Sequence, residues 1–244
     1  MSESEETFIA HLIELRDRLI RIAAGLLLAF VGLFPFANTL YTLLAQPMLS
    51  NLPAGGQLIA TAVTTPFFVP MKVAMMAAIV LSLPWTLYQA WGFVAPGLYA
   101  HEKRLILPLV VASSLLFLAG MAFAYFLVFP VVFGFIVGVA PQGVTVMTDI
   151  GNYLDFVITL FLAFGVAFEV PVLVVLVVHL GMASVQTLKE IRSYVIVGAF
   201  VIGAIFTPPD VISQIMLAVP LWLLYEAGII AAQLIRRNTA PSSD

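Results

Sequence analysis

The chain has 244 residues, of which 62% are hydrophobic and 9% charged, against roughly 25% charged in an ordinary soluble domain. It has a formal net charge of -3 and no cysteine, which excludes disulfides and thiolate chemistry and gives no overall basic balance for nucleic acid. Such a chain cannot cover a water-facing surface, so it reads as a single membrane domain over 1–244 with the bilayer as its solvent.

Residues 1–19 are polar and acidic. They lack the basic region and cleavage site of a signal peptide, so they are expected to stay in the mature chain. Phe8, Leu12, Leu15 and Leu19 share one helical face, and Glu14, Arg18 and Arg21 share another. This predicts an amphipathic helix feeding a first span over about 20–40. The second span is expected over 69–94, the third over 105–133 and the fourth over 156–180, each near or above the roughly 20 apolar residues a crossing helix needs. The stretch 194–207 is apolar but short, and Pro208-Pro209 forces a turn after it, since proline has no N–H and restricts the residue before it. A last span follows over 211–235. A short hairpin of two helices fits this better than one long helix through the prolines.

Lys and Arg set the orientation. With six spans, Arg16, Arg18, Arg21, Lys103, Arg104, Lys189, Arg192, Arg236 and Arg237 fall on one side. Lys72, at the start of span two, is the exception. The segments 41–68, 134–153 and 207–210 carry no basic residue. The pattern predicts both termini in the cytoplasm. In the outer segments, 41–49 is apolar and includes Pro47, consistent with a surface-lying stretch, and 134–153 carries Asp149.

Few charged groups could carry chemistry. Glu14 is read either as an i,i+4 partner of Arg18, worth a few tenths of a kcal/mol, or as an anionic site at the membrane surface. Glu102, beside Lys103 and Arg104, is read either as a solvated loop residue or as a carboxylate for bidentate guanidinium binding. Glu169 lies mid-span, two residues before Pro171. An ionisable group at that depth faces protein or water and marks a functional site by default; the alternative is a protonated packing residue. Asp210 is placed to cap the last span, and Gln214 is a polar group within it. No phosphate-binding Gly-rich loop, nucleophile elbow or paired-His metal motif occurs, so neither catalysis nor a cofactor is expected.

The runs HLIELR at 11–16, FVAPGLYAHE at 93–102, FGVAFEVP at 164–171 and TPPD at 207–210 occur in one chain and in this order. Together they resemble TatC, the large subunit of the twin-arginine protein translocase, over nearly the whole chain. The resemblance implies an all-α membrane protein of six helices in a curved, cup-like array, with the fifth and sixth short. It implies a receptor for the paired arginines of signal peptides at the cytoplasmic face of the inner membrane, with Glu14 and Glu102 as carboxylates and Arg16 and Phe93 beside them. Glu169 would lie in a membrane groove, Pro47 and Asp210 at the outer face, and Gln214 on a partner surface. The implied partners are single-span subunits of the TatA and TatB types, further copies of the chain, and membrane lipid, with folded cargo driven by the proton-motive force. A solute transporter coupled through Glu169 is the alternative, but such transporters are built from repeated halves, and none is visible. A membrane-embedded enzyme would need a catalytic constellation that the sequence lacks.

Overall fold

In a backbone dissolved in lipid every N–H and C=O must be satisfied within the protein, and a helix does this from its own residues. The computed structural model describes residues 3–49, 58–94, 106–138, 147–206 and 211–239, and nearly all of them are helical. The helices are α1 (Glu3–Leu33), α2 (Ala37–Leu49), α3 (Thr65–Val94), α4 (Ile106–Phe123), α5 (Phe129–Gly138), α6 (Ile150–Ala167), α7 (Val170–His179), α8 (Val185–Glu190), α9 (Arg192–Phe206) and α10 (Val211–Thr239). Five apolar helical stretches are long enough to cross a membrane: Ile9–Gln46, Thr65–Phe93, Leu107–Phe135, Ile150–His179 and Val211–Ile235. The shorter Arg192–Phe206 is a sixth apolar helix.

Several boundaries differ from the sequence reading. The amphipathic segment and most of the first span are one helix, α1 (Glu3–Leu33), because Glu, Arg and Leu all favour helix and the change in polarity breaks no hydrogen bond. A single 3-10 turn at Phe34–Phe36, with Pro35 inside it, joins α1 to α2, so the apolar stretch 41–49 is helical. The third span continues past 133 to Gly138 through a π turn over Ala124–Val128, in which the Phe129 N–H donates to the Ala124 carbonyl. Pro130 cannot donate to the carbonyl four residues back, and a wider turn just before it absorbs the mismatch. The fourth span begins at Ile150 and is interrupted at Phe168 and Glu169, immediately before Val170-Pro171. Of the last two helices only α9 is short. Its 15 residues give about 22 Å at 1.5 Å per residue, against a hydrocarbon layer of about 30 Å. α10 runs for 29 residues.

The chain forms two compact units. In the first, comprising Met1–Leu44 and Ala62–Ser114, α1 packs along α3. Trp85 lies against Arg21 and Gly25, and Phe93 against His11, so the two helices run antiparallel. α3 supplies the buried side: Val69, Val73, Ala74, Met76 and Ala78. α1 leaves Leu27, Leu28 and Val31 exposed, as befits a helix whose outer face meets lipid rather than protein.

The second unit comprises Ala45–Thr61 and Leu115–Asp244. Its aromatic core centres on Phe129, whose ring lies 5.0 Å from Phe161 and 5.6 Å from Phe133. A second cluster joins Val174, Leu188, Tyr225 and Ile229. α7 stops at Gly181, where φ is +69°. The Gly181 N–H donates to Val178 and the Met182 N–H to Val177, the paired bonds that close a helix through a left-handed residue. Ser184 then caps α8 through the Thr187 N–H, and α9 follows at once. Neither the sharp corner nor the six-residue α8 was evident as an element in the sequence.

Asp149 begins α6. One carboxylate oxygen accepts from the backbone of Gly151 and Asn152, and the other from the Thr61 N–H at 2.9 Å and its hydroxyl at 2.7 Å. Ile59 pairs with the same turn, its N–H donating to Thr148 and its carbonyl accepting from Ile150. The Thr61 hydroxyl and backbone bonds, followed by the cap, hold the Asp149 carboxyl at about 2, well below its usual range. A depressed carboxyl stabilises the fold fully above its unfolded value near 3.9 and loses that contribution as pH falls through the folded value. Asp149→Ala is therefore expected to melt below the wild type at neutral pH. The gap should close as pH drops from about 4 to about 2. A gap independent of pH over that range would show that the carboxylate bonds are not its source.

Candidate functional site

Glu14 lies on α1 one turn before Arg18, at the i,i+4 spacing that puts both on one face. Both Nε and Nη2 of Arg18 donate to Glu14 Oε1, at 2.9 and 2.6 Å. The pair is more than a surface bridge, because Arg18 also reaches α3. Its Nη1 donates to the Gln89 carbonyl at 3.3 Å and lies 3.5 Å from the Gln89 side-chain oxygen, and Nη2 donates to the Gly92 carbonyl at 2.8 Å. The last carbonyls of a helix have no partner within it, and a cation there suits the helix dipole. Arg18 thus closes the C-terminal end of α3 from the neighbouring helix. Its side chain is 19% exposed and that of Glu14 35%, so the carboxylate is the accessible member.

Two further contacts secure the same end of α3. His11 stacks on Phe93 with ring centroids 4.3 Å apart, and the Trp85 indole N–H donates to the Arg21 carbonyl at 2.9 Å. Ala10, Ile13, Glu14, Asp17, Arg18 and Arg21 line a cavity of about 350 Å³. Beyond Arg21 a second, largely apolar cavity of about 770 Å³ follows α1 and α3 past Gly25, Leu28 and Trp85. The arrangement offers a partly exposed carboxylate in one cavity and a largely apolar second cavity past Arg21, which lines both, a setting suited to a cation followed by an apolar chain.

The other residues singled out from the sequence fall as follows. Arg16 does not join Glu14; it pairs with Asp17 at 2.7 Å and its side chain is 67% exposed. Phe93 is within the site, against His11. Glu102, Asp210 and the side chain of Pro47 lie outside the described residues, although Pro47 itself falls within α2. Glu169 occupies the break between α6 and α7, half-buried, and its carbonyl accepts the Leu173 N–H that starts α7. Gln214 is turned to its own hairpin: its amide donates to the Phe200 carbonyl of α9 at 2.9 Å. At the far end of α9, Arg192 meets Glu226 at 2.6 Å, and the Tyr225 hydroxyl donates to the Leu188 carbonyl at 2.7 Å, tying α8 and α9 to α10.

Sequence reasoning missed Gln89 and Gly92. Gln89 is 2% exposed in a mostly apolar helix, and a buried amide is itself a signal of a polar partner. Gly92 carried no comparable signal.

The family model described as "Sec-independent protein translocase protein (TatC)" matches residues 10–220. A protein of that description from Azotobacter chroococcum is 53% identical over 242 residues, covering 99% of this chain and 95% of the relative. One from Escherichia coli K12 is 52% identical, covering 93% and 88%. Among solved structures, a crystal structure of "Twin Arginine Translocase Receptor- TatC in DDM" superposes with a TM-score of 0.82 at 38% identity, covering 91% of this chain and 99% of that one.

Proposed function

The chain belongs to the TatC family of Sec-independent protein translocase subunits, a multi-pass membrane component of a transport machine and no enzyme, and from that premise we propose that it is the receptor for twin-arginine signal peptides. Glu14 and Glu102 are the carboxylates that accept the two guanidinium groups. The observation that carries this reading is the placement of Glu14: a partly exposed carboxylate, held by Arg18 through one oxygen, in a cavity that shares Arg21 with a largely apolar second one. A peptide with two arginines followed by an apolar stretch matches that order of charge and apolarity. Phe93, stacked on His11, offers an aromatic face beside the carboxylate, and Arg16 lies on the adjoining exposed face.

In this reading both termini are cytoplasmic, as the run of basic residues on one side argues. The chain works in the inner membrane with TatA- and TatB-type single-span subunits and with further copies of itself, and the proton-motive force drives folded cargo. Pro47 and Asp210 serve at the outer face. Gln214 supports the partner surface indirectly, by bracing α10 against α9. Glu169, at the break in the fourth span, lies in a lipid-filled or wet groove.

The test is binding of a paired-arginine signal peptide to the purified protein, against the same peptide with two lysines. A planar guanidinium presents two N–H donors to a carboxylate in a fixed fork, and an ammonium cannot reproduce that geometry. The arginine peptide is expected to bind at least about 10-fold more tightly, the equivalent of one charge-assisted hydrogen bond. Equal affinity would overturn the assignment, as would absence of binding both alone and with co-purified partner subunits.

A further inference from the structure

We propose that Arg18 is a positioning residue for arginine recognition: it fixes the Glu14 carboxylate against the last turn of α3, and Gly92 provides the space it needs. The inference rests on the reading of Glu14 as an arginine-binding carboxylate and adds to it the device that sets where that carboxylate stands.

The geometry separates a fixed partner from an adjustable one. All three guanidinium nitrogens of Arg18 are engaged, and two of them reach carbonyls of α3. A Cβ placed on Gly92 would lie 2.4 Å from Arg18 Nη1 and 3.1 Å from its Cζ, so the guanidinium sits directly on bare backbone. Glu14 receives both of its bonds from Arg18 on Oε1; among the described residues none donates to Oε2, which can take two N–H donors of an incoming guanidinium as Oε1 does those of Arg18. Arg18 therefore ties a carboxylate on α1 to the end of the helix from which the chain continues to Glu102. A lysine in its place has a single ammonium and cannot span a carboxylate and two carbonyls in one plane. Asp17, the other acid beside Arg18, is occupied by Arg16 and does not compete for the same guanidinium.

The experiment measures binding of the paired-arginine and paired-lysine peptides to the full chain, as wild type, Arg18→Gln, Arg18→Lys and Gly92→Ala. The wild-type preference for arginine is expected to fall about 10-fold in Arg18→Gln and in Gly92→Ala, through loss of arginine-peptide affinity. Arg18→Lys is expected to restore the charge without restoring the preference. Gly92→Ala retains every charged group and provides the reading where Arg18→Gln does not accumulate. A preference left intact, or an equal loss for both peptides, would overturn the positioning role, since a merely structural contact lowers both affinities together. Lack of preference in the wild type would instead sink the reading of Glu14 on which the inference stands.

Discussion

Glu102→Ala is expected to weaken binding of a paired-arginine signal peptide by about 10- to 100-fold while leaving the amount of folded protein unchanged. A charge-assisted hydrogen bond contributes about 1.5–3 kcal/mol, and removing one carboxylate deprives one guanidinium of its bidentate partner while the second arginine keeps Glu14. The loss should be smaller for the paired-lysine peptide, whose ammonium groups gain less from a planar acceptor. Glu102 follows α3 in the sequence, next to Lys103 and Arg104, and the amount of folded protein is measured alongside binding. Titration of peptide into detergent-solubilised wild type and variant reads the effect. Wild-type affinity in a well-folded Glu102→Ala protein would remove Glu102 from the site and leave Glu14 to account for recognition alone.

The second large effect concerns stability. A Cβ at Gly120 would stand 2.4 Å from the Phe164 carbonyl oxygen and 2.9 Å from its carbon, so α4 and α6 meet backbone to side-chain-free backbone. In a membrane, where burial from water does not drive helix association, such close approach is a principal source of packing energy. Gly120→Ala must push the helices apart and is expected to cost about 1–3 kcal/mol, a drop of about 2–10 °C in melting temperature. Gly165→Ala should cost less, because the obstructing atoms belong to the Phe117 ring, which can turn aside. Gly198→Ala, with nothing within 4 Å, should be neutral or slightly stabilising. Thermal melts of the three variants test the order, and a Gly120→Ala protein as stable as Gly198→Ala would refute the close contact.

How much could be read in the sequence depended on the range of the interaction. Glu14 and Arg18 stand one turn apart, and their pairing was one of two readings left open by the spacing. That Arg18 also caps α3 involves partners 71 and 74 residues away, and no local pattern encodes such a distance. Apolar length located the crossing helices, and the helix that holds the first of them starts earlier, at Glu3, because hydropathy registers polarity whereas a helix is limited by its hydrogen bonds. Pro171 announced a disturbance in the fourth span, and the break falls at Phe168 and Glu169, just ahead of it, where the missing N–H and the steric restriction both act. Asp149 was visible only as an acid in an outer loop; its role depends on Thr61, 88 residues away. Gln214 read as a polar group within an apolar span, and the carbonyl its amide meets is that of Phe200, 14 residues away. A polar side chain in lipid takes the nearest carbonyl, and that carbonyl is set by the fold of the hairpin.

The ties across that hairpin also impose an order in time. Synthesis proceeds from the N-terminus, so Arg192 emerges 34 residues before the Glu226 carboxylate that receives it, and Leu188 precedes the Tyr225 hydroxyl by 37. Until α10 is released from the ribosome, α9 is a brief apolar segment with an unmatched cation at one end and no settled depth. The last helix therefore acts as the latch of biogenesis: its arrival seats its predecessor.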